Sequence, residues 1–592
     1  MRVKWFSFIR VTGLLLVLLY HFFKHAFPGG FIGVDIFFTF SGYLITALLI
    51  DEYTKKKTID IIGFLRRRFY RIVPPVIIMV LVTMPFTFLV RRDFIAGIGA
   101  QIAAAIGFTT NFYEILTGGN YESQFIPHLF VHTWSLAIEV HFYIIWALIV
   151  WLLARKHYEP TKFRGYVFLA STGIFAISFL TMFIRAFLVN NFSLIYFSTL
   201  AHSFPFFLGA MFATMTGIKE TTTRFQKNVK HWQTKQVLSV MIGSFLMLLI
   251  LTLVLDFNQL ITYLFGFVLA SFFASIMIYA ARVLHEKTPN SKEPFVITYI
   301  ADISYGVYLF HWPFYIIFSQ LGPNWIAVIL TVLCSFIFST LSFYVIEPLI
   351  AGKEPHLFGL SLDLKPYLKW LYTLAGVLAV ITLLTGFLAP SVGKFENELL
   401  ASSLEQARNS INRTHTLAAG DANALSDITI IGDSVALRSS SAFSSIMPEA
   451  QLDAAVSRNF SEAYDIFSNH ITSNTLSQTV VVAIGVNSLD HYKTDLNAFI
   501  KKLPKGHRLV FVSPYNSKNI TQVAEARDYE IKLAQKYSYV TVADWYKVAV
   551  ENPDIWDGTD GVHYSDSTTK GATLYVDTVQ SAVRKVAKQN PK

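Results

Sequence analysis

A serine placed directly after a β-branched run (residues 428–432), and an aspartate three residues ahead of a histidine, are the groups in this chain best suited to covalent chemistry. A hydroxyl is a weak nucleophile at neutral pH and needs a base. His563 can take the proton of Ser434, with Asp560 fixing the imidazole tautomer, and the serine can then attack an acyl carbon. The tetrahedral oxyanion so formed needs donors aimed at it in advance; the Asn487 amide and the backbone N–H groups of Ser434 and Ser457 are the candidates. Each signal also has a plain structural explanation. Asp433-Ser434 at a strand end serves as a helix N-cap, and Gly485-Val-Asn487 as an ordinary turn. Asp557 competes for the role of Asp560, but the three-residue spacing to His563 favours Asp560. Order and co-occurrence give these residues their weight.

Such groups must be held by rigid elements. From Ile428 onward, short β-branched runs alternate with helical stretches. Strands are predicted at 428–432, 451–456, 479–484, 508–513 and 539–543, and helices near 435–446, 461–474, 491–502, 521–537 and 568–588. This alternation predicts an open parallel sheet with helices on both faces, whose ligands bind beyond the carboxyl ends of the strands. Ser434, Ser457 and Asn487 follow the first three strands, and Asp560 and His563 lie in the loop before the last helix.

Taken in order, Ile431-Gly-Asp-Ser-Val435, Gly485-Val-Asn487 and Asp560-Gly-Val-His563 resemble the blocks of the SGNH/GDSL esterase superfamily over about 165 residues. The second block normally supplies a glycine; here the stretch reads Ala455-Val-Ser457-Arg458-Asn459. Asn487 is followed by Ser488, where many members have aspartate.

The rest of the chain is of another kind. Hydrophobic residues make up 53% of the 592, with 53 phenylalanines, which predicts a polytopic membrane protein. The net charge of +10 raises the question of nucleic acid. It divides unevenly, however: residues 1–389 carry 29 Lys and Arg against 17 acids, and residues 390–592 carry 20 against 22. The excess belongs to the membrane half, where loop asymmetry accounts for it, and nucleic acid is not an expected partner. The single cysteine, Cys334, excludes an internal disulfide or a cysteine-based metal site. No metal and no permanently bound cofactor are expected.

Spans are predicted at 5–23, 31–50, 74–90, 134–154, 166–188, 196–216, 237–255, 260–281, 296–319, 324–349 and 370–389. The Ala/Gly-rich stretch 94–116 is read as re-entrant or lying on the outer face. Alternate segments then hold 24 Lys and Arg, while the others hold Lys24, Arg91 and Arg92 alone. Positive-inside bias puts the N-terminus in the cytoplasm, and an odd count of eleven puts the C-terminal domain outside the cell. The expected fold is thus a polytopic α-helical membrane domain followed by an extracytoplasmic α/β domain with a parallel sheet. Residues 1–350 form the membrane domain, 351–390 a cytoplasmic loop and further span, 391–426 a linker with a short helix near 396–411, and 427–592 the outer domain.

Ionisable residues inside a membrane are expensive and mark candidate sites. Arg10 and His21 lie on one face of the first span, roughly 16 Å apart along its axis. Snorkelling to the headgroups is an equal explanation for Arg10. Four blocks resemble the acyltransferase-3 family over residues 5–350. They are Phe31-Ile-Gly-Val-Asp35 through Ser41-Gly42, the basic Phe64-Leu-Arg66 through Arg71-Ile-Val-Pro74, Thr133-Trp134-Ser135 through Glu139, and Ser304-Tyr305 through His311-Trp312-Pro313. The usual Glu-Glu-Gln-Phe-Tyr reads Glu139-Val-His141-Phe-Tyr143.

The resemblance implies acyl transfer from cytoplasmic acyl-CoA to acceptors beyond the bilayer, with Arg10 and His21 as the paired residues of the first span. Glu139, Asp35 and His311 are further candidates. Both resemblances together are similar to the Gram-positive peptidoglycan O-acetyltransferases. They imply acetyl-CoA as donor substrate, peptidoglycan glycan strands as acceptor at muramoyl C6, an acetyl-Ser434 intermediate, and resistance to lysozyme. The alternatives are another cell-surface glycan as acceptor, a glycan-binding transporter or sensor, and an acetylesterase.

Overall fold

The computed structural model describes residues 3–90, 92–117, 127–189, 191–393, 397–408, 427–486, 489, 491–517, 519–556, 559–565 and 569–592. They form two compact units, Met1–Ser391 and Val392–Lys592.

The first unit is helical. Among the described residues, eight helices are long and apolar enough to cross a membrane: Gly30–Lys56, Ile61–Leu89, Val131–Ala154, Pro160–Arg185, Thr234–Val254, Thr262–Lys287, Asn324–Ile350 and Lys365–Leu388. Shorter apolar helices cover Phe6–Phe22, Asp93–Ile106 and Phe204–Thr216. A further helix, Phe295–Phe318, is 24 residues long and carries Asp302 and His311. The expected span 196–216 is broken. Ser193–Tyr196 and Phe204–Thr216 are separate helices, and between them His202 turns back onto the Tyr196 carbonyl. The stretch 94–116 is divided by Gly107 into Ile98–Ile106 and Thr110–Leu116. At nine and seven residues, neither piece matches the ~30 Å of a hydrocarbon core at 1.5 Å per residue.

Among the helices that carry the candidate residues of this unit or pack against those that do are α1 (Phe6–Phe22), α2 (Gly33–Lys56), α3 (Ile61–Thr83), α4 (Trp134–Ala154), α5 (Phe204–Thr216) and α6 (Phe295–Phe318). The crossing of α2 with α5 is set by small residues. A Cβ on Gly42 would lie 1.8 Å from the Phe206 carbonyl oxygen, and one on Gly209 1.9 Å from that of Thr39. In lipid, where apolar burial gives helices no drive to associate, this backbone approach supplies the packing. The basic segment is helical from Ile61, capped by Asp60, whose carboxylate accepts from the Gly63 N–H at 2.9 Å. Arg68 and Arg71 therefore share a face.

The second unit contains a five-stranded sheet, β1 (Ile428–Gly432), β2 (Ala450–Ala454), β3 (Thr479–Ala483), β4 (Arg508–Val512) and β5 (Val540–Ala543). The order is β2-β1-β3-β4-β5, and every pairing is parallel. The β1 and β3 strands are buried along their whole length, as a two-sided parallel sheet requires. The expected helix 435–446 is instead two, α7 (Ser434–Arg438) and α8 (Ser440–Ile446). The break falls at Ser439, whose hydroxyl bonds to the Val435 carbonyl and to Tyr564 Oη. Such local side-chain bonds compete with helix continuation. Trp545–Glu551 is a helix that the apolar pattern did not announce.

Residues 397–408 are helical and pack within this unit. Gln406 exchanges two hydrogen bonds of 3.1 Å with the Ala454 backbone at the edge strand. Glu398 pairs with Arg438 at 3.3 Å, and Glu405 accepts from Ser441 at 2.9 Å.

Candidate active site

Strand β1 ends at Gly432, where a Cβ would sit 2.3 Å from that of Ala436. Only glycine lets α7 start so close to the strand. Asp433 caps α7, accepting from the Val435 N–H at 3.0 Å, and Ser434 is the first helical residue. The Asp433 carboxyl is driven up to about 6 by burial, against the opposing N–H groups of Val435, Ala436 and Val486 and the charge of Arg458.

Ser434 Oγ lies 2.8 Å from His563 Nε2, and His563 Nδ1 lies 2.8 Å from Asp560 Oδ2. Asp560 Oδ1 also accepts from the backbone N–H groups of Val562 and His563 at 2.9 and 2.8 Å. Burial pushes Asp560 up, but the imidazole hydrogen bond and charge and the two N–H groups outweigh it and hold the carboxyl at about 2. An ionised carboxylate only accepts, so Nδ1 carries the imidazole hydrogen. Nε2 is then the acceptor, and the Ser434 hydroxyl donates to it. Burial lowers His563 below its ordinary value; Asp560 opposes this and Arg438 adds to it. The ring is therefore neutral at pH 7 and able to receive the serine proton.

The turn that makes this possible runs through Gly561, at φ +82°, where a Cβ would lie 1.9 Å from Ser517 Oγ. The Ser517 N–H in turn donates to the Gly561 carbonyl at 2.9 Å.

Ser457 stands just beyond β2 with φ +57°. This is a left-handed conformation that favours glycine, at the position where the SGNH pattern has one. Asn487 and the rival Asp557 lie outside the described residues. Sequence reasoning missed Arg458, which donates to the Gly432 and Asp453 carbonyls and pairs with the Asp453 carboxylate at 2.7 Å, holding the ends of β1 and β2 together. It also missed Arg438, whose guanidinium lies over the Tyr564 ring at 5.7 Å. Its position four residues after Ser434 on a helix was the available signal.

In the first unit the candidates separate into three places. Arg10 and Glu139 line one cavity of about 140 Å³, together with Ser41, Arg68, Arg71 and Tyr143. Glu139 accepts hydrogen bonds from the hydroxyls of Ser41 and Tyr143; Glu139 and Tyr143 are four apart on α4 and share its face. His21 and His311 meet elsewhere, with His21 Nδ1 2.8 Å from His311 Nε2. Asp35 is on neither; it is fully buried against His202, with Oδ1 3.1 Å from Nε2. Ser41 and Tyr143 stand in the sequence blocks without an assigned role, and His202 was not singled out. Tyr143 reaches Glu139 along its own helix, while Ser41 and His202 meet their partners from distant segments. Among the described residues no group of three or more His, Cys, Asp or Glu side chains could hold a metal ion.

Residues 3–347 match the family model Acyl_transf_3, described as an acyltransferase domain. The chain belongs to this acyltransferase family. Similarity to other acyltransferases runs along its whole length. The O-acetyltransferase OatA of Staphylococcus aureus strain NCTC 8325 is 27% identical over 610 residues, covering 97% of this chain and 95% of its own. OatA of strain MRSA252 matches with the same identity and coverage. The C-terminal catalytic domain of Streptococcus pneumoniae peptidoglycan O-acetyltransferase A, solved with a methylsulfonyl adduct, is 40% identical. That match covers 28% of this chain and 97% of the other, with a TM-score of 0.28. As a member of the acyltransferase family, the chain is an enzyme with a multi-helix membrane unit and a parallel-sheet unit.

Proposed function

We propose that this acyltransferase moves acetyl from cytoplasmic acetyl-CoA across the membrane to the C6 hydroxyl of N-acetylmuramoyl residues of peptidoglycan, through an acetyl-Ser434 intermediate. The observation that carries the reading is the unbroken hydrogen-bond chain from Ser434 through His563 to Asp560. In the first half-reaction Nε2 of His563 takes the Ser434 proton while Oγ attacks the acetyl carbonyl. The leaving group departs with that proton, and acetyl-Ser434 remains. In the second, the same nitrogen deprotonates the muramoyl C6 hydroxyl, which attacks the ester and returns the hydrogen to Ser434 Oγ. The backbone N–H groups of Ser434 and Ser457 and the Asn487 amide are assigned to the oxyanion. One such donor is worth about 3–4 kcal/mol of barrier lowering.

Donor chemistry is assigned to the cavity of the membrane unit. Arg10, Arg68 and Arg71 converge there and suit the phosphates of CoA. Glu139, held by Ser41 and Tyr143, lies beside them. His21, which is on the same helix as Arg10 but outside the cavity lining, is assigned as a base for acyl transfer. Eleven spans with the N-terminus inside put the second unit at the cell wall, where an acetyl group at C6 would obstruct lysozyme.

The test is to supply residues 392–592 with an acetyl ester donor and muropeptide oligomers and to analyse products by mass spectrometry. Acetylated muramoyl residues and an acetylated Ser434 peptide are expected from the wild type, and neither from Ser434→Ala. Free acetate as the sole product would make the unit an esterase. Turnover in Ser434→Ala would remove the covalent intermediate.

A further inference from the structure

Three histidines from separate segments meet inside the first unit: His21 on α1, His132 in the turn preceding α4, and His311 on α6. Their hydrogen bonds fix where each neutral ring carries its hydrogen. A carbonyl oxygen can only accept. His311 Nδ1 lies 2.6 Å from the Tyr308 carbonyl, so His311 donates from Nδ1 and Nε2 becomes its acceptor. That acceptor is 2.8 Å from His21 Nδ1, so His21 also donates from Nδ1 and carries its lone pair on Nε2. His132 is fixed in the opposite sense, donating from Nε2 to the Leu309 carbonyl at 2.9 Å. The His21 ring has little room to turn. The indole of Trp312 is 4.6 Å away, centroid to centroid, and is itself tied by its N–H to the His128 carbonyl at 3.0 Å.

We infer that His311 is a positioning residue for acyl transfer: through the Tyr308 carbonyl–His311–His21 chain it holds His21 in the Nδ1–H tautomer, so that Nε2 is the basic nitrogen. This rests on the assignment of His21 as a base. The logic is that of a carboxylate behind a catalytic imidazole, with a neutral ring and a helix carbonyl in its place. His311 itself touches no reacting atom. An acceptor at its Nε2 position is all that the device requires.

That requirement separates the inference from plain packing. His311→Gln brings an amide oxygen to the region of Nε2, whereas His311→Leu fills similar space with no acceptor. In full-length protein in membranes, His311→Leu should lower acetyl transfer from acetyl-CoA by about 100-fold, and His311→Gln should keep most of it. Nitrogen-15 NMR of the histidine-labelled full chain, with the His21 signal assigned by difference from His21→Gln, should show Nδ1–H in the wild type and in His311→Gln. In His311→Leu the Nε2–H form should predominate. Acetyl transfer by the second unit from a soluble ester donor serves as the folding control and should be unchanged. Wild-type turnover in His311→Leu, an unaltered His21 tautomer in that variant, or a His311→Gln variant as inactive as His311→Leu would each overturn the inference. Normal transfer in His21→Gln would instead remove the assignment of His21 on which it stands.

Discussion

At the scale of single residues, the site in the second unit is a statement about proton placement. His563 must be neutral to accept from Ser434, and burial keeps it so by lowering its pKa below the ordinary 6.5. With a depressed pKa, activity is full above 6.5 and falls as pH drops through the lowered value. The acid limb of kcat/KM for the isolated unit should therefore have its midpoint below 6.5. Asp433, at about 6, titrates nearby, so the limb should persist in Asp433→Asn if His563 governs it. Asp560→Asn leaves the space filled but lets the imidazole flip to the other tautomer; a loss on the order of 10⁴ in kcat is expected, with unaltered folding by circular dichroism. Gly561→Ala places a Cβ against Ser517 at a positive φ. It should lower stability by roughly 1–2 kcal/mol, read as a shift in the denaturation midpoint, and reduce turnover with it. The Ser434–His563–Asp560 contact was legible because each member is marked locally, by a strand end or by a three-residue spacing. Nothing local joins Ser41, His132 or His202 to their partners, which lie about 100 to 180 positions away on other helices, whereas Tyr143 reaches Glu139 four positions back on its own helix.

At the scale of elements, strand positions were readable to within a residue or two, since buried parallel strands are short β-branched runs bounded by turns. Helix limits were less so. Three consecutive serines, Ser439 to Ser441, have no apolar signal to show that the helix breaks there, and the Ser439–Tyr564 bond that breaks it spans 125 positions. The 397–408 helix is the most consequential element that composition undersold. It grips α7 through Glu398 and Arg438 and the edge strand through Gln406. Removing it should cost more than its length suggests. A fragment beginning at residue 427 is expected to unfold at lower denaturant than one beginning at 392, and Gln406→Ala in the longer fragment should lose about 1–2 kcal/mol by the same assay.

At the scale of the whole molecule, composition and charge distribution were enough to expect a helical membrane half and a strand–helix half. They were not enough to count spans. Breaks such as that between Tyr196 and Phe204 depend on a buried His202–Asp35 pair, which hydropathy does not register. The proposed topology makes a direct prediction. With Cys334 replaced by Ser, a cysteine introduced at Lys588 should be labelled by a membrane-impermeant maleimide in intact cells, and one at Lys227 only after lysis. Passage of acetyl through Ser434, as proposed, is tested most directly by mass spectrometry of the Ser434 peptide during turnover. Rapid quenching of residues 392–592 with an acetyl ester donor should reveal one acetyl group on that serine. The label should disappear when muropeptide is added and be absent in His563→Gln. Steady transfer to muropeptide with Ser434 never labelled, or equal transfer by Ser434→Ala, would mean that acetyl does not pass through this serine.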